Sequence, residues 1–267
     1  MKIYKNKADL IKELSSKKNI AFVPTMGSIH KGHLSLIKKA KKESKNVVTS
    51  IYINPKQFNT NYDFLKYPRR LNNDINLLRR LNIKYLYLPT YKDIYSFRAK
   101  LPIYLNNFSK KLCGKYRPGH FQGVINVVNR FLEIIKPSSI FLGVKDFQQL
   151  ALIKLHINKN KILTKVVSCP TIRQNNGLAL SSRNNKLNKK QIKIAGKLYK
   201  YLKKNKKFFF TLKKNNILSK IKLLGVEKVE YLEFVNLKTL KASKKKDNNC
   251  NIFISYYIGG VRLIDNL

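Results

Sequence analysis

Cysteine, acidic side chains and long apolar runs are all scarce in this 267-residue chain. Its three cysteines, Cys113, Cys169 and Cys250, are odd in number and far apart. That excludes a disulfide framework or a paired-cysteine metal clip and points to a reducing compartment, the cytoplasm. No apolar run approaches the ~18–20 residues needed to cross a bilayer, so a membrane partner is not expected. The basic start, Met1 to Lys7, is followed by no apolar segment of the kind a secretory signal carries, and none is expected here.

Asp and Glu total 13 against 56 Lys and Arg, a net charge of +43. Such a balance first suggests nucleic acid, because lysine and arginine neutralise phosphates and release counterions. The lysines nevertheless run along the whole chain, with local blocks at residues 38–42, 203–207 and 244–246, instead of forming one arm. Solvated helix faces explain that spread better than a dedicated surface, and no specific nucleic-acid partner is expected. Self-repulsion should weaken the fold at low salt, and anionic ligands should be attracted. With 43% hydrophobic residues, 15 Tyr and 14 Phe, the chain has ample material for a core and does not read as disordered.

Apolar runs bounded by turn residues at Ile20–Pro24, Val47–Ile53, Lys84–Leu88 and Ser139–Leu142 predict buried strands. Between them, Leu34–Ser44, Arg69–Leu81 and Phe121–Lys136 carry apolar residues at helical spacing, the last with a stripe of Val124, Val127, Val128, Phe131, Ile134 and Ile135. Alternation of strand and helix predicts a parallel α/β sheet with right-handed crossovers, which binds ligands beyond the carboxyl ends of its strands. After residue 171 the texture changes. Helices near Lys189–Lys204 and Leu212–Leu224 precede strands at Val226–Val235, Ile252–Ile258 and Val261–Ile264, a second and smaller α/β domain. Lys241–Asn249 reads as an exposed loop joining two of those strands. The expected division is residues 1–171 and 172–267, closely packed for want of a long linker.

Four segments hold candidate chemistry. Pro24-Thr25-Met26-Gly27-Ser28-Ile29-His30-Lys31-Gly32-His33 sets two imidazoles three residues apart at a helix start, where main-chain N–H groups and partial positive charge suit a phosphate. Imidazole donors there could stabilise charge developing on a phosphoryl group. His-x-x-His can also ligate zinc, but no Cys, Asp or Glu stands nearby, which favours phosphate chemistry over metal. Asn54-Pro55-Lys56-Gln57-Phe58 offers uncharged groups for a small polar substrate, or equally a plain chain reversal. Gly143-Val144-Lys145-Asp146-Phe147-Gln148-Gln149 allows close approach at Gly143, a point charge at Lys145, and at Asp146 a helix cap or a partner for a ribose hydroxyl. Finally, Ser181-Ser182-Arg183-Asn184, with Thr171-Ile172-Arg173 before it, reads as a polyphosphate grip or an ordinary polar loop, placed where it could close over a nucleotide.

These segments, with Tyr67-Pro68-Arg69, Arg117-Pro118-Gly119-His120-Phe121, Tyr231-Leu232-Glu233 and the final Arg262 to Leu267, occur in an order and spacing that resembles the pantoate–β-alanine ligase family from near residue 20 to the last. The family belongs to the nucleotidyltransferases with a His-x-Gly-His signature. The resemblance implies a Rossmann-type amino-terminal domain, a smaller carboxyl-terminal domain and a homodimer. It implies condensation of pantoate with β-alanine at the expense of ATP, through a pantoyl adenylate, releasing AMP and pyrophosphate, with magnesium carried on the phosphates and no metal held by the protein itself. By the same resemblance, Met26, Gly27, Ser28, Ile29, His30, Lys31, Gly32 and His33 form part of the ATP site, with His33 the catalytic proton donor. Gly143, Val144, Lys145, Asp146, Ile172, Leu180, Ser181, Ser182 and Arg183 complete it. Gln57 and Gln149 bind pantoate, and Gln57 also lies near β-alanine. Two positions depart from the family pattern: Val144 stands where Glu is usual, and Leu180 where Met is usual, the latter nearly conserving volume. Two rival readings remain. An adenylyltransferase of the same superfamily would leave Gln57 and Gln149 without a role, and a basic RNA-binding protein on an inactive enzyme fold would not need His30, His33, Lys145 and Arg183.

Overall fold

The computed structural model describes residues 1–209, 211–243 and 249–267. Its elements run β1 (Lys2–Tyr4), α1 (Lys7–Leu14), β2 (Ile20–Thr25), α2 (Lys31–Glu43), β3 (Asn46–Ile51), α3 (Asn61–Leu65), α4 (Leu71–Arg80), β4 (Tyr85–Tyr87), α5 (Tyr91–Tyr95), α6 (Cys113–Tyr116), α7 (His120–Ile135), β5 (Ser139–Gly143), α8 (Phe147–Lys159) and β6 (Lys165–Cys169). There follow α9 (Lys189–Asn205), α10 (Lys214–Leu223), β7 (Lys228–Asn236), β8 (Cys250–Ile258) and β9 (Val261–Asn266).

The first six strands form one sheet in the order β1-β4-β3-β2-β5-β6, every pair parallel. Strands of such a sheet are covered on both faces, which is why β2 and β3 are nearly continuous buried runs instead of alternating ones. On one face α7 buries Val124, Val128, Phe131 and Ile135 against Phe22 and Tyr87. On the other, α2 and α4 bury Leu36, Ile37 and Leu78 with Val23, Val47 and Phe141. The chain runs outward from β2 in one direction through β3 and β4, then returns to lay β5 and β6 on the other side of β2. That reversal leaves a crevice at the carboxyl ends of β2 and β5.

The second sheet, β7-β8-β9, is antiparallel. Its strands obey period two: Leu232, Phe234, Ile252, Ile254, Tyr256 and Ile258 pack with Leu198 and Leu202 of α9 and Ile217 and Ile221 of α10. The alternate residues Tyr231, Val235 and Phe253 face the other way and join the core of the parallel sheet, with the rings of Phe147 and Phe253 5.5 Å apart. The small sheet therefore closes directly onto the mouth of the large one.

All four expected parallel strands and the three helices between them are present, with ends displaced by a few residues. Two strands of the large sheet escaped the sequence reading. β1 is a three-residue edge and β6, Lys165–Cys169, begins on an exposed lysine, so neither is a long apolar run. Of the Lys241–Asn249 loop, residues 244–248 lie outside the described residues, as does the basic block at 244–246. Among the described residues, no helix is long and apolar enough to cross a membrane.

Candidate functional site

A cavity of ≈ 290 Å³ opens beyond the carboxyl ends of β2, β3 and β5 and is roofed by the second sheet. It draws together Met26, His30, Gly32, His33, Gln57, Gly143, Lys145, Asp146, Gln149, Ile172, Leu180, Ser181, Ser182 and Arg183 from segments up to 157 residues apart in sequence (Met26 to Arg183). Gly27, Ser28, Ile29, Lys31 and Val144 are not part of its lining. Lys31 instead borders a neighbouring pocket with Arg173 and Leu180. Val144 packs its side chain on the main core and gives its carbonyl to Asn266 Nδ2, 2.9 Å away.

The two imidazoles are fixed by the start of α2. His30 is the N-cap, accepting from Gly32 N at Nδ1 (3.1 Å), while His33 Nδ1 accepts from His30 N (3.4 Å), a reciprocal capping box made of histidines. A neutral imidazole whose Nδ1 accepts must carry its proton on Nε2, so both rings present Nε2–H donors. Burial, reinforced by Lys145, depresses His30 to about 4. Burial, reinforced by His30, depresses His33 to about 3. Both are thus neutral at physiological pH. Gly32 is required here because a Cβ would lie 2.8 Å from His30 Cε1.

The amides of the loop leading into α2 are engaged within the protein. Gly27 N donates to Thr25 Oγ1 (3.2 Å), and Ser28 N and Ile29 N both donate to the Asp74 carboxylate. The side-chain donors His30, His33, Lys145 and Arg183 line the cavity instead.

The Asn54-Pro55 pair makes the chain reversal expected of it. Asn54 Oδ1 accepts from Lys56 N and Nδ2 reaches Gly123 O (3.1 Å), making the turn, and the turn points Gln57 into the cavity. Arg117 Nη2 (3.1 Å) and His120 Nδ1 (2.7 Å) both hold the Gln57 carbonyl. Burial, with Arg183 and Arg262 nearby, lowers Arg117 to about 10; burial, with Arg117, lowers His120 to about 3. Of the two adjacent glutamines, Gln148 is saturated by Cys113 N, Phe108 O and Lys111 O. Both line the cavity, but the Gln148 amide is spent on these bonds. Asp146 occupies the N-cap position of α8 but makes no cap bond; its carboxylate takes Lys145 Nζ at 3.1 Å. Burial opposes its charge, yet Lys145, His33 and Arg183 hold it below the ordinary carboxylate value.

Residues 172–180 form a narrow hairpin, with Leu180 N bonded to Ile172 O at 2.9 Å, so these two flank each other at the cavity wall. Arg173 anchors the hairpin to the last strand through a bidentate pair with Asp265 (2.6 and 2.9 Å). Ser181 caps the following turn, Ser182 Oγ lies 3.3 Å from Tyr67 Oη, and Arg183 meets Asp63 at 3.1 Å. Asp74, Tyr67, Arg117 and Asp265 were assigned no role from sequence, because each acts on a partner 40 or more residues away: 46, 115, 60 and 92 respectively.

The parallel sheet with its switch-point crevice and the imidazole pair beside an ammonium and a guanidinium define a Rossmann-type α/β enzyme of the nucleotidyltransferase kind. The family model for pantoate-beta-alanine ligase matches residues 2–267. A pantothenate synthetase of Francisella tularensis subsp. novicida is 42% identical over 270 residues, covering 97% of this chain and 95% of that one. One from Fervidobacterium nodosum is 39% identical over 266 residues, covering 97% and 94%. A crystal structure of pantoate-beta-alanine ligase from Francisella tularensis, complexed with beta-gamma ATP and beta-alanine, superposes with a TM-score of 0.87 at 40% identity over 100% of this chain and 97% of that one. Pantothenate synthetase from Thermus thermophilus gives 0.90 at 32% identity, covering 100% and 99%. The chain belongs to the pantoate–β-alanine ligase family, which are carbon–nitrogen ligases.

Proposed function

We propose that this protein condenses pantoate with β-alanine to give pantothenate, consuming ATP and releasing AMP and pyrophosphate. The observation that carries this reading is the convergence of His30, His33, Lys145 and Arg183 with the uncharged Gln57 and Gln149 in one cavity. A carboxylate attacking a polyanion needs donors that spread the developing negative charge, and those four supply them. Gln57 and Gln149 can orient hydroxyls without protonating the attacking oxygen. In the first step the pantoate carboxylate bonds to the α-phosphorus and the bond to pyrophosphate breaks, with His33 donating from Nε2. In the second, the β-alanine amine bonds to the acyl carbon and AMP leaves, taking both electrons of the acyl–oxygen bond. Passing through an adenylate turns a poor leaving group into a good one. Within this reading, Met26, His30, Gly32, His33, Gly143, Lys145, Asp146, Ile172 and 180–183 line the ATP site, and Gly27, Ser28, Ile29, Lys31 and Val144 belong to it as the backbone that carries them. Residues 1–171 bind ATP and pantoate, 172–267 close over them, and two copies associate.

Among the described residues no group of three His, Cys, Asp or Glu could hold a metal ion by itself. Asp146 is the cavity carboxylate left outside a bidentate pair, which fits a magnesium ion held chiefly by phosphates and water. Such an ion would neutralise charge on the departing pyrophosphate.

The test is direct. With ATP, magnesium and D-pantoate, AMP should accumulate only when β-alanine is added, and labelled pyrophosphate should exchange into ATP without it. AMP formation indifferent to β-alanine, or exchange indifferent to pantoate, refutes the assignment. Sedimentation of the purified protein checks the dimer.

A further inference from the structure

Asp74 lies on α4, far in sequence from the loop it serves, and only 2% of it is exposed. Its two carboxylate oxygens accept from Ser28 N and Ile29 N, each at 2.7 Å. A Cβ on Gly27 would sit 3.0 Å from Oδ2, so the carboxylate is packed directly against the loop backbone. Ser28 is held in the left-handed region at φ +50°, where a residue other than glycine needs its surroundings to hold it. Burial raises the Asp74 pKa, while the two amides and Arg70 work to keep it ionised. Consecutive N–H groups beside a helix start would ordinarily form an anion cradle. Here the protein fills the cradle with an anion of its own.

We propose that Asp74 is a positioning residue for the nucleotide. It occupies the Ser28 and Ile29 amides and so holds the loop that delivers His30 to the cavity, where the triphosphate meets His30, His33, Lys145 and Arg183. By fixing Ser28 and Ile29 it also sets the backbone from which His30 caps α2. The inference rests on the cavity being the ATP site; the bonding of Asp74 to the loop does not.

Two measurements test it. In the wild-type protein without nucleotide, hydrogen exchange of the peptide spanning Ser28 and Ile29 should be slow, and ATP should change it little. Fast exchange that ATP alone suppresses would show that the ligand, not Asp74, caps those amides, and would overturn the proposal. In Asp74→Asn the KM for ATP should rise about 10-fold or more while that for β-alanine stays the same. A folded Asp74→Asn with unchanged KM for ATP would equally defeat it. Should the variant fail to fold, the wild-type exchange still decides. Absence of β-alanine-dependent AMP in the wild type would instead sink the enzymatic reading while leaving the amide protection intact.

Discussion

The imidazole rings of His30 and His33 lie with their centroids 4.1 Å apart, each with its Nδ1 turned to the backbone of the same helix start. The stack leaves their Nε2 atoms as neutral donors, and neither ring has to lose a proton at physiological pH. His33→Ala should therefore lower adenylation on the order of 10²-fold or more. Measured by pyrophosphate exchange, the wild-type rate should stay level as pH falls through 6.5 and drop only near 4, where His30 titrates. An acid limb centred at 6.5 would mean that a protonation state other than the one found here is in use.

Stability should follow the same histidines. His30, His33, His120 and His156 are all depressed by burial, to about 4, 3, 3 and 4, from 6.5. Below 6.5 the unfolded chain takes up protons that the folded one refuses, so the stability present above that pH is lost as pH falls toward 3–4. Urea midpoints measured between pH 7.5 and 4.5 should fall steadily, about flat above 7.

Arg173 and Asp265 are 18% and 6% exposed at their side chains and bonded in two places. Arg173→Ala would strand a buried carboxylate and should destabilise the protein by about 3–5 kcal/mol. Arg173→Lys should recover only part of this, because an ammonium cannot reproduce the planar fork. Thermal unfolding of both variants checks the order.

Gly123 on α7 lies against the turn that presents Gln57: a Cβ there would fall 2.0 Å from Lys56 O. Gly123→Ala must push helix and turn apart, at a cost of about 1–3 kcal/mol. Because the displaced turn carries Gln57, the KM for pantoate should rise more than that for ATP. An equal rise in both would place Gln57 elsewhere in the reaction.

The net charge of +43 predicts a fold strengthened by salt. Raising ionic strength from about 0.01 M to about 0.15 M shortens the screening length from ~30 to ~8 Å, and the melting temperature should climb. An unchanged melting temperature would show that the lysines are spread too far apart to repel.

Much of this molecule could be read before its structure. Apolar runs bounded by turns announce β2, β3 and β5, since a strand covered on both faces has to be apolar throughout, and His30, His33, Gln57, Lys145 and Arg183 stand in compact local spacings after such strands. Local pattern does not reveal which of Gln148 and Gln149 is structural; that depends on Cys113 N, Phe108 O and Lys111 O converging on the first. Nor does it reveal that Asp146 forgoes its cap for Lys145. The strand and helix pattern, the charge and the identity of the chemical groups came from sequence alone, because propensity and periodicity act over a few neighbouring residues. The clamp of Arg117 and His120 on Gln57, the tie of Arg173 to Asp265 and the seat of Asp74 under the 27–29 loop were decided only by tertiary structure, because they join residues that meet solely when the chain has closed around its core.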